Sequence, residues 1–351
     1  MANGDFTGLS RSGLIQGGSD NDALFLKVFS GEILTAFSDA NVMKDLHMIR
    51  TISSGKSAQF PVSGIATANY HAVGENIVES DTGYMSSIAM NEKLITIDDV
   101  LIASTFLANI DQLKTHYDVR SIYAAELGKA LAKRFDIATM KTLYAASQAD
   151  SNLASPQSNG AGTSISADTT SVTGLITAMY DIAAALDENN ASSEGRFAVL
   201  APETYYKLLT ADNVAISKDF GTGGNVATGT VASVAGIRLV KSNHVKDIAD
   251  LGDDSAVATG DGSSNNDVFD DNVSSSGNGS GYNGDFSPLK GTNGYGILAG
   301  TKDAIGTVKL LDLATESEYQ IERQGTLFVA KYAMGHGVLR PECAVAVKPS
   351  A

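Results

Sequence analysis

The 351-residue chain has no tryptophan, a single cysteine, and only 25 Lys and Arg against 40 Asp and Glu. Each shortage narrows what the protein can be. Cys343 alone cannot form an intrachain disulfide, so the fold neither needs nor indicates an oxidising compartment. A net charge of −15 argues against a chain whose main business is gripping nucleic-acid phosphates, which takes Lys and Arg gathered on one face. It leaves room for one that encloses nucleic acid without gripping it. No run approaches ~18 consecutive apolar residues, so no membrane-spanning helix is expected. The opening residues are polar and lack the apolar centre of a signal peptide. The expectation is a soluble protein made in a reducing cytoplasm.

Catalytic patterns are also missing. Ser54, Gly55, Lys56 and Ser57 imitate the end of a phosphate-binding loop, but Arg50 stands where that loop needs its first glycine. Gly279 to Gly284 matches GxGxxG inside a low-complexity stretch, with no strand before it and no helix after. The five histidines (47, 71, 116, 244, 336) show no metal-ligand spacing, and no GxSxG surrounds a serine. Asp261 to Asp271 is oxygen-rich, with its glycine misplaced for a calcium loop. The expectation is no enzyme activity, no cofactor and no metal.

What is present is a chain able to bury a core, with 43% hydrophobic residues. Its most regular stretch is 113–146. Leu113, Tyr117, Ala124, Leu127, Leu131 and Ala138 recur at helical steps, with Lys129, Lys133, Arg134 and Lys141 largely off that face. Gly128 is the one weak link, and Asp118 could cap a fresh start. From Asp118 onward the rod spans about 40 Å. That suits either a core helix of an α/β enzyme or a spine across which other elements lie.

Before it, polar residues 1–22 form an arm without a core, and 22–38 is expected to be helical. Strands are expected at 58–62, 65–73, 84–90 and 94–97, a hairpin projecting up to about 50 Å. Such a ribbon is marginal alone in water and needs a neighbouring surface. After the helix, 147–171 reads as a polar loop. A helix at 172–188, a strand at 197–200, a helix opening at Pro202 and a strand at 236–240 then make a small α/β unit. Residues 250–294 read as an insertion without a core. Strands at 295–299, 304–311, 319–323, 326–333 and 344–347 close the chain. Gly335, His336 and Gly337 are expected to mark a tight turn.

Five segments are too specific to leave to pattern: DALFLKVFSGEILTAF (22–37), ISSGKSAQFPV (52–62), HYDVRS (116–121), IGTVKL (305–310) and AKYAMGHGVLRPE (330–342). They resemble the major capsid proteins of T7-like podoviruses, in the family's order. The resemblance implies an α+β chain with the Hong Kong 97-type capsid fold of tailed phages. It maps as an N-terminal arm (1–56), an extended loop (57–93), a peripheral domain with the spine helix 113–146 (94–171), an axial domain (172–300) and peripheral strands (301–351). It also implies self-assembly into pentamers and hexamers, a scaffolding protein, a portal and packaged double-stranded DNA. Whether 250–294 receives a decoration protein stays open. An encapsulin-like compartment subunit, with the same fold around enzyme cargo, is the alternative.

Some shells of this fold are locked by isopeptide bonds from a loop lysine. Between Ser57 and Glu92 this chain has neither Lys nor Arg, so a non-covalent shell is expected. The candidate inter-subunit residues are Tyr70, Glu75, Glu79, Asp81, Tyr84 and Met85 on the loop. On the spine they are Arg120, Lys129, Lys133, Arg134 and Lys141, expected as an outward basic strip under a neighbour's acidic loop. Arg340 is a further candidate.

Overall fold

The computed structural model describes residues 32–37, 40–66, 68–78, 88–97, 100–108, 119–152, 160–209, 224–225, 230–231, 233–251, 286–291 and 294–350. The chain runs β1 (Met48–Thr51), β2 (Ser57–Ser63), β3 (Met90–Thr96), β4 (Leu101–Ala108), α1 (Val119–Gln148), β5 (Thr163–Ala167) and α2 (Val172–Glu188). It continues through β6 (Phe197–Leu200), α3 (Pro202–Leu209), β7 (Gly224–Asn225), β8 (Thr230–Val231), β9 (Ser233–Val234), β10 (Ile237–Lys241) and α4 (His244–Leu251). It ends with β11 (Ile297–Gly300), β12 (Ile305–Gln320), β13 (Gly325–Val338) and β14 (Ala344–Pro349).

Two compact units share the chain. One holds Met1–Asn41, Asp99–Phe135 and Leu311–Ala333; the other holds Val42–Asp98, Asp136–Leu310 and Met334–Ala351. In the larger unit a six-stranded sheet, ordered β5-β14-β11-β6-β10-β9, divides two apolar layers. The period-2 alternation of short buried strands explains the division. Ala198, Leu200, Ile297, Ala299, Val345 and Val347 face the stripe of α2 (Leu175, Met179, Ile182, Leu186). Phe197, Val199, Leu298, Ala344 and Ala346 face the second half of α1 (Ile137, Met140, Leu143, Tyr144) and α4 (Val245, Ile248). Ser171 caps α2 by accepting from the Gly174 N–H at 3.1 Å. The β9–β10 turn takes positive φ at Ala235 (52°) and Gly236 (76°), the pattern of a two-residue hairpin.

The second half of α1 is buried on every side, with Asp136 through Ser147 all inaccessible. Its hydroxyls make this tolerable by turning back on their own helix: Thr139 donates to the Asp136 carbonyl, Thr142 to Ala138 and Ser147 to Tyr144, at 2.7–2.9 Å. The Asp136 carboxylate accepts the backbone N–H groups of Val42 and Met43 at 2.9 and 3.0 Å. His244 Nδ1 lies 3.2 Å from the same carboxylate.

In the smaller unit, β4 pairs antiparallel with β13 from Leu101↔Tyr332 to Ala108↔Gly325. Phe37, Phe135 and Tyr332 form an edge-to-face trio with centroids 6.2–6.5 Å apart. Residues 32–37 are helical and lie against Gly128.

The expected helix at 113–146 appears as α1, with 113–118, including Asp118, outside the described residues. The strand and helix expectations at 58–62, 172–188, 197–200, 202 onward and 344–347 hold within a residue or two. Several others are corrected. Residues 65–66 and 68–73 form no strand, because no partner strand lies beside them among the described residues, and their side chains are exposed. The polar stretch 147–171 contains β5, which pairs parallel with β14. Helix α4 was not expected. Within 250–294, Phe286 and Leu289 are fully buried in the core beside α1, so that segment is not coreless throughout. Residues 321–323 form a 3₁₀ turn rather than a strand. The last strands serve two sheets: β12 and β13 join β1 and β4, whereas β14 joins β5 and β11.

Gly128, a weak link by helix propensity, is a close-packing site. A Cβ there would lie 2.8 Å from both the Ile33 carbonyl oxygen and the Ala36 Cβ. Gly128→Ala gains about 1 kcal/mol of helix propensity but overpacks the contact at a cost of about 1–3 kcal/mol. The expected outcome is a lower thermal midpoint for the variant by calorimetry; a raised midpoint shows that the contact relaxes freely.

Candidate inter-subunit surface

The segment between β2 and β3 is rooted in a short hairpin. β2 and β3 pair antiparallel from Ser57↔Thr96 to Ser63↔Met90. Ala58, Phe60 and Val62 alternate inward on β2, while Ile95 and Ile97 are buried on the returning chain. Arg50 donates to the Gln59 carbonyl at 2.7 Å, with its guanidinium 5.6 Å from the centre of the Phe60 ring. Asn91 Nδ2 donates to the Asn152 carbonyl at 2.8 Å.

The root sits on β13, and Gly335 and Gly337 make the approach possible. The Thr96 carbonyl oxygen occupies the place a Cβ on Gly335 would take, and Ile95 Cγ1 lies 2.7 Å from a Cβ built on Gly337. The expected turn at Gly335-His336-Gly337 is therefore corrected: these residues lie inside a strand, and close backbone approach rather than left-handed φ demands glycine.

His336 belongs to a buried polar chain that no local spacing reveals, since its members are residues 47, 307 and 336. His47 Nδ1 lies 2.6 Å from the Met43 carbonyl, Thr307 Oγ1 is 2.7 Å from His47 Nε2, and His336 Nδ1 is 2.8 Å from Thr307 Oγ1. A carbonyl only accepts, so His47 carries its proton on Nδ1 and its Nε2 accepts from Thr307. Thr307 then accepts from the Nδ1–H of His336. Every donor in this chain has an acceptor with both rings neutral.

Burial pushes the His336 pKa down to about 3, helped by the neighbouring His47. The His47 pKa is lowered mainly by burial, with Lys302 adding to the shift and the Met43 hydrogen bond, Asp136 and Asp45 opposing it.

Past the root, the described loop residues leave apolar side chains in water. Tyr70 is 101% and Val73 103% exposed, and Ile65, Ile77, Val78, Ile88 and Met90 are exposed as well. Glu75 is exposed too, its backbone N–H bonded to the Ala72 carbonyl at 3.2 Å. Glu79, Asp81, Tyr84 and Met85 lie outside the described residues.

The described basic candidates differ in exposure. Lys129 is exposed and paired with Glu126 at 3.0 Å, while Lys133 and Arg134 are half-buried. Lys141 is fully buried, its ammonium 5.4 Å from the Phe286 ring centre, which corrects its expected place on the outer face. Arg120 lies in the first turn of α1, with its side chain outside the described residues. Arg340 is half-buried beside the 3₁₀ turn Pro341–Cys343. The Cys343 thiol is buried and its pKa is raised chiefly by that burial. Among the described residues no cluster of His, Cys, Asp and Glu could hold a metal ion, and no helix is long and apolar enough to cross a membrane.

Comparison with known proteins identifies the family. The model of a family described as Gp10A-like major capsid protein matches residues 59–348. The major capsid protein of Escherichia phage T7 is 33% identical over 99% of this chain and 98% of its own length. That of Enterobacteria phage T3 is 34% identical over 95% and 93%. Among solved structures, the capsid of cyanophage P-SCSP1u superposes with a TM-score of 0.68 at 34% identity, covering 98% of this chain and 99% of its own. The expected α+β capsid fold is thereby borne out.

The buried histidines set a pH dependence. Their folded pKa values lie below the ordinary 6.5, so the unfolded chain takes up protons first as pH falls. Stability is complete above about pH 6.5 and declines between there and about pH 3. For His336 alone the loss reaches roughly 3 kcal/mol by pH 4. Urea unfolding of the unassembled chain at pH 7 and pH 4 should show this fall, and His336→Gln should flatten it. Equal slopes in both proteins rule out His336 as the source.

Proposed function

The chain belongs to the Gp10A-like major capsid protein family, a structural component of phage capsids, and we propose that its copies assemble into pentamers and hexamers of a closed icosahedral shell around double-stranded DNA. One observation carries the reading. The extended loop exposes Tyr70, Val73 and Val78 to water, although burying each large apolar side chain is worth about 1.5–3 kcal/mol. A surface of this kind is completed by a partner, and another copy is the partner that a shell supplies in every direction. The capsid protein acts in the virion and is made and assembled in the host cytoplasm, with a scaffolding protein and a portal as further partners. A role as an enzyme is not part of this reading. The encapsulin-like alternative is not favoured, because one-third identity to phage capsid proteins extends over nearly the whole chain.

Within the shell, the acidic loop residues Glu75, Glu79 and Asp81 would approach Arg120, Lys129, Lys133 and Arg134 of a neighbouring copy, with Tyr70, Tyr84, Met85 and Arg340 completing the contact. Each exposed ion pair contributes only ~0.2–1 kcal/mol, so apolar contact and multiplicity supply the strength.

Two experiments test these statements. Tyr70→Ser combined with Val73→Ser removes side chains that support nothing within the chain. Circular dichroism should be unchanged while electron micrographs of protein expressed with its scaffold lose their particles; a normal particle yield rejects the loop as a contact. Dissociation of shells in rising salt should begin at lower denaturant, and Lys133→Glu should weaken assembly. Salt-independent dissociation with normal assembly of the variant removes the charge contact from the account.

A further inference from the structure

Apart from the loop and the buried histidines, the larger unit contains a cavity of about 310 Å³ lined by Asp45, Leu46, Gly195, Arg196, Phe197, Ser233, Gly236, Arg238 and Lys302. It lies where parallel strands β6 and β10 begin, with Arg238 paired to Phe197 in the register, and where β11 ends on its other side at Gly300, just before Lys302. Its volume is at the small end of the range for ligand sites.

The charges here run against the rest of the molecule. In a chain of net charge −15, three of the four ionisable groups at this cavity are basic. Arg196 is already committed. It is buried, donates from Nε to the Ser192 carbonyl at 2.9 Å, and donates from one terminal nitrogen to the Ala191 carbonyl and the Asp187 carboxylate at 2.9 and 2.7 Å. Those bonds fix it as a rigid wall whose charge Asp187 balances. Arg238 and Lys302 both line the rim and are exposed, from different elements of the fold, and among the described residues neither forms a carboxylate bridge. Asp45 is the one acidic group on the opposite side of the balance.

We propose that this cavity binds a phosphate-class oxyanion, held between Arg238 and Lys302 with the Ser233 hydroxyl as a neutral donor. Arg238 brings a planar fork that matches two oxygens of such an anion, and Lys302 brings a compact charge from the far rim. Two cations suit a doubly charged anion better than a single carboxylate, and Asp45 opposes any anion that enters. The same chemistry has two sources: free phosphate in solution, or the phosphodiester of nucleic acid. The proposal is independent of the shell reading, since every lining residue belongs to one unit of one chain.

The test is titration of the full unassembled chain, at fixed ionic strength, with inorganic phosphate and separately with a short double-stranded oligonucleotide, followed by calorimetry. Saturable phosphate binding is expected. Arg238→Gln and Lys302→Gln should each weaken it about tenfold, the loss of one charge-assisted bond, and Asp45→Asn should tighten it. All three changes are at exposed positions, and unchanged circular dichroism confirms the fold. Binding of phosphate alone assigns the free anion; binding of both, with phosphate displacing the oligonucleotide, assigns the phosphodiester. Absence of saturable binding to either probe, or binding that the Arg238 and Lys302 variants leave unaltered, overturns the proposal.

Discussion

The β2–β3 hairpin depends on one close approach, that of its returning chain to β13. Backbone of Thr96 and side chain of Ile95 fill the space that Cβ atoms would need at Gly335 and Gly337. Because strand side chains alternate, the residue between those glycines points to the opposite face. There His336 enters the bonded chain through Thr307 to His47 and the Met43 carbonyl. Three successive residues thus serve two contacts: glycines admit the hairpin on one side, and histidine fixes the strand from the other. A side chain at either glycine would displace the hairpin, and a charge on the histidine would disturb the strand that carries it.

The second constraint is the burial of α1 beyond Asp136. A helix covered on all sides must satisfy its polar groups internally. Here Thr139, Thr142 and Ser147 bond to their own helix, and Asp136 receives two backbone N–H groups from the segment leading to β1. The same segment, a few residues on, supplies His47. The buried carboxylate and the buried histidine chain therefore hold one short stretch, 42–47, from two directions, and that stretch delivers β1 to its parallel pairing with β12.

Elements with strong local signals were legible in the sequence. Helix α2 has a capping serine and an uninterrupted apolar stripe, and its expected limits match its observed ones. Segments whose structure is decided by a distant partner were not legible. Strand β5, a polar TSISA, is a strand because β14 lies beside it, and nothing within its own residues says so. Helical spacing directs Lys141 outward, because spacing gives direction around an axis but cannot tell that a second layer covers that direction; Phe286, from a stretch of Gly, Ser and Asp, is part of that cover. The loop residues Tyr70 and Glu75 were legible as an uncovered surface. The histidine chain was not, because it joins residues 260 positions apart.

The charge of the chain limits what can hold copies together. At −15 each, two copies repel as they come within about 8 Å, the reach that physiological salt leaves unscreened. Attraction must therefore come at contact range, from apolar burial and backbone complementarity, and the described residues between β2 and β3 are where the surface offers apolar side chains in number.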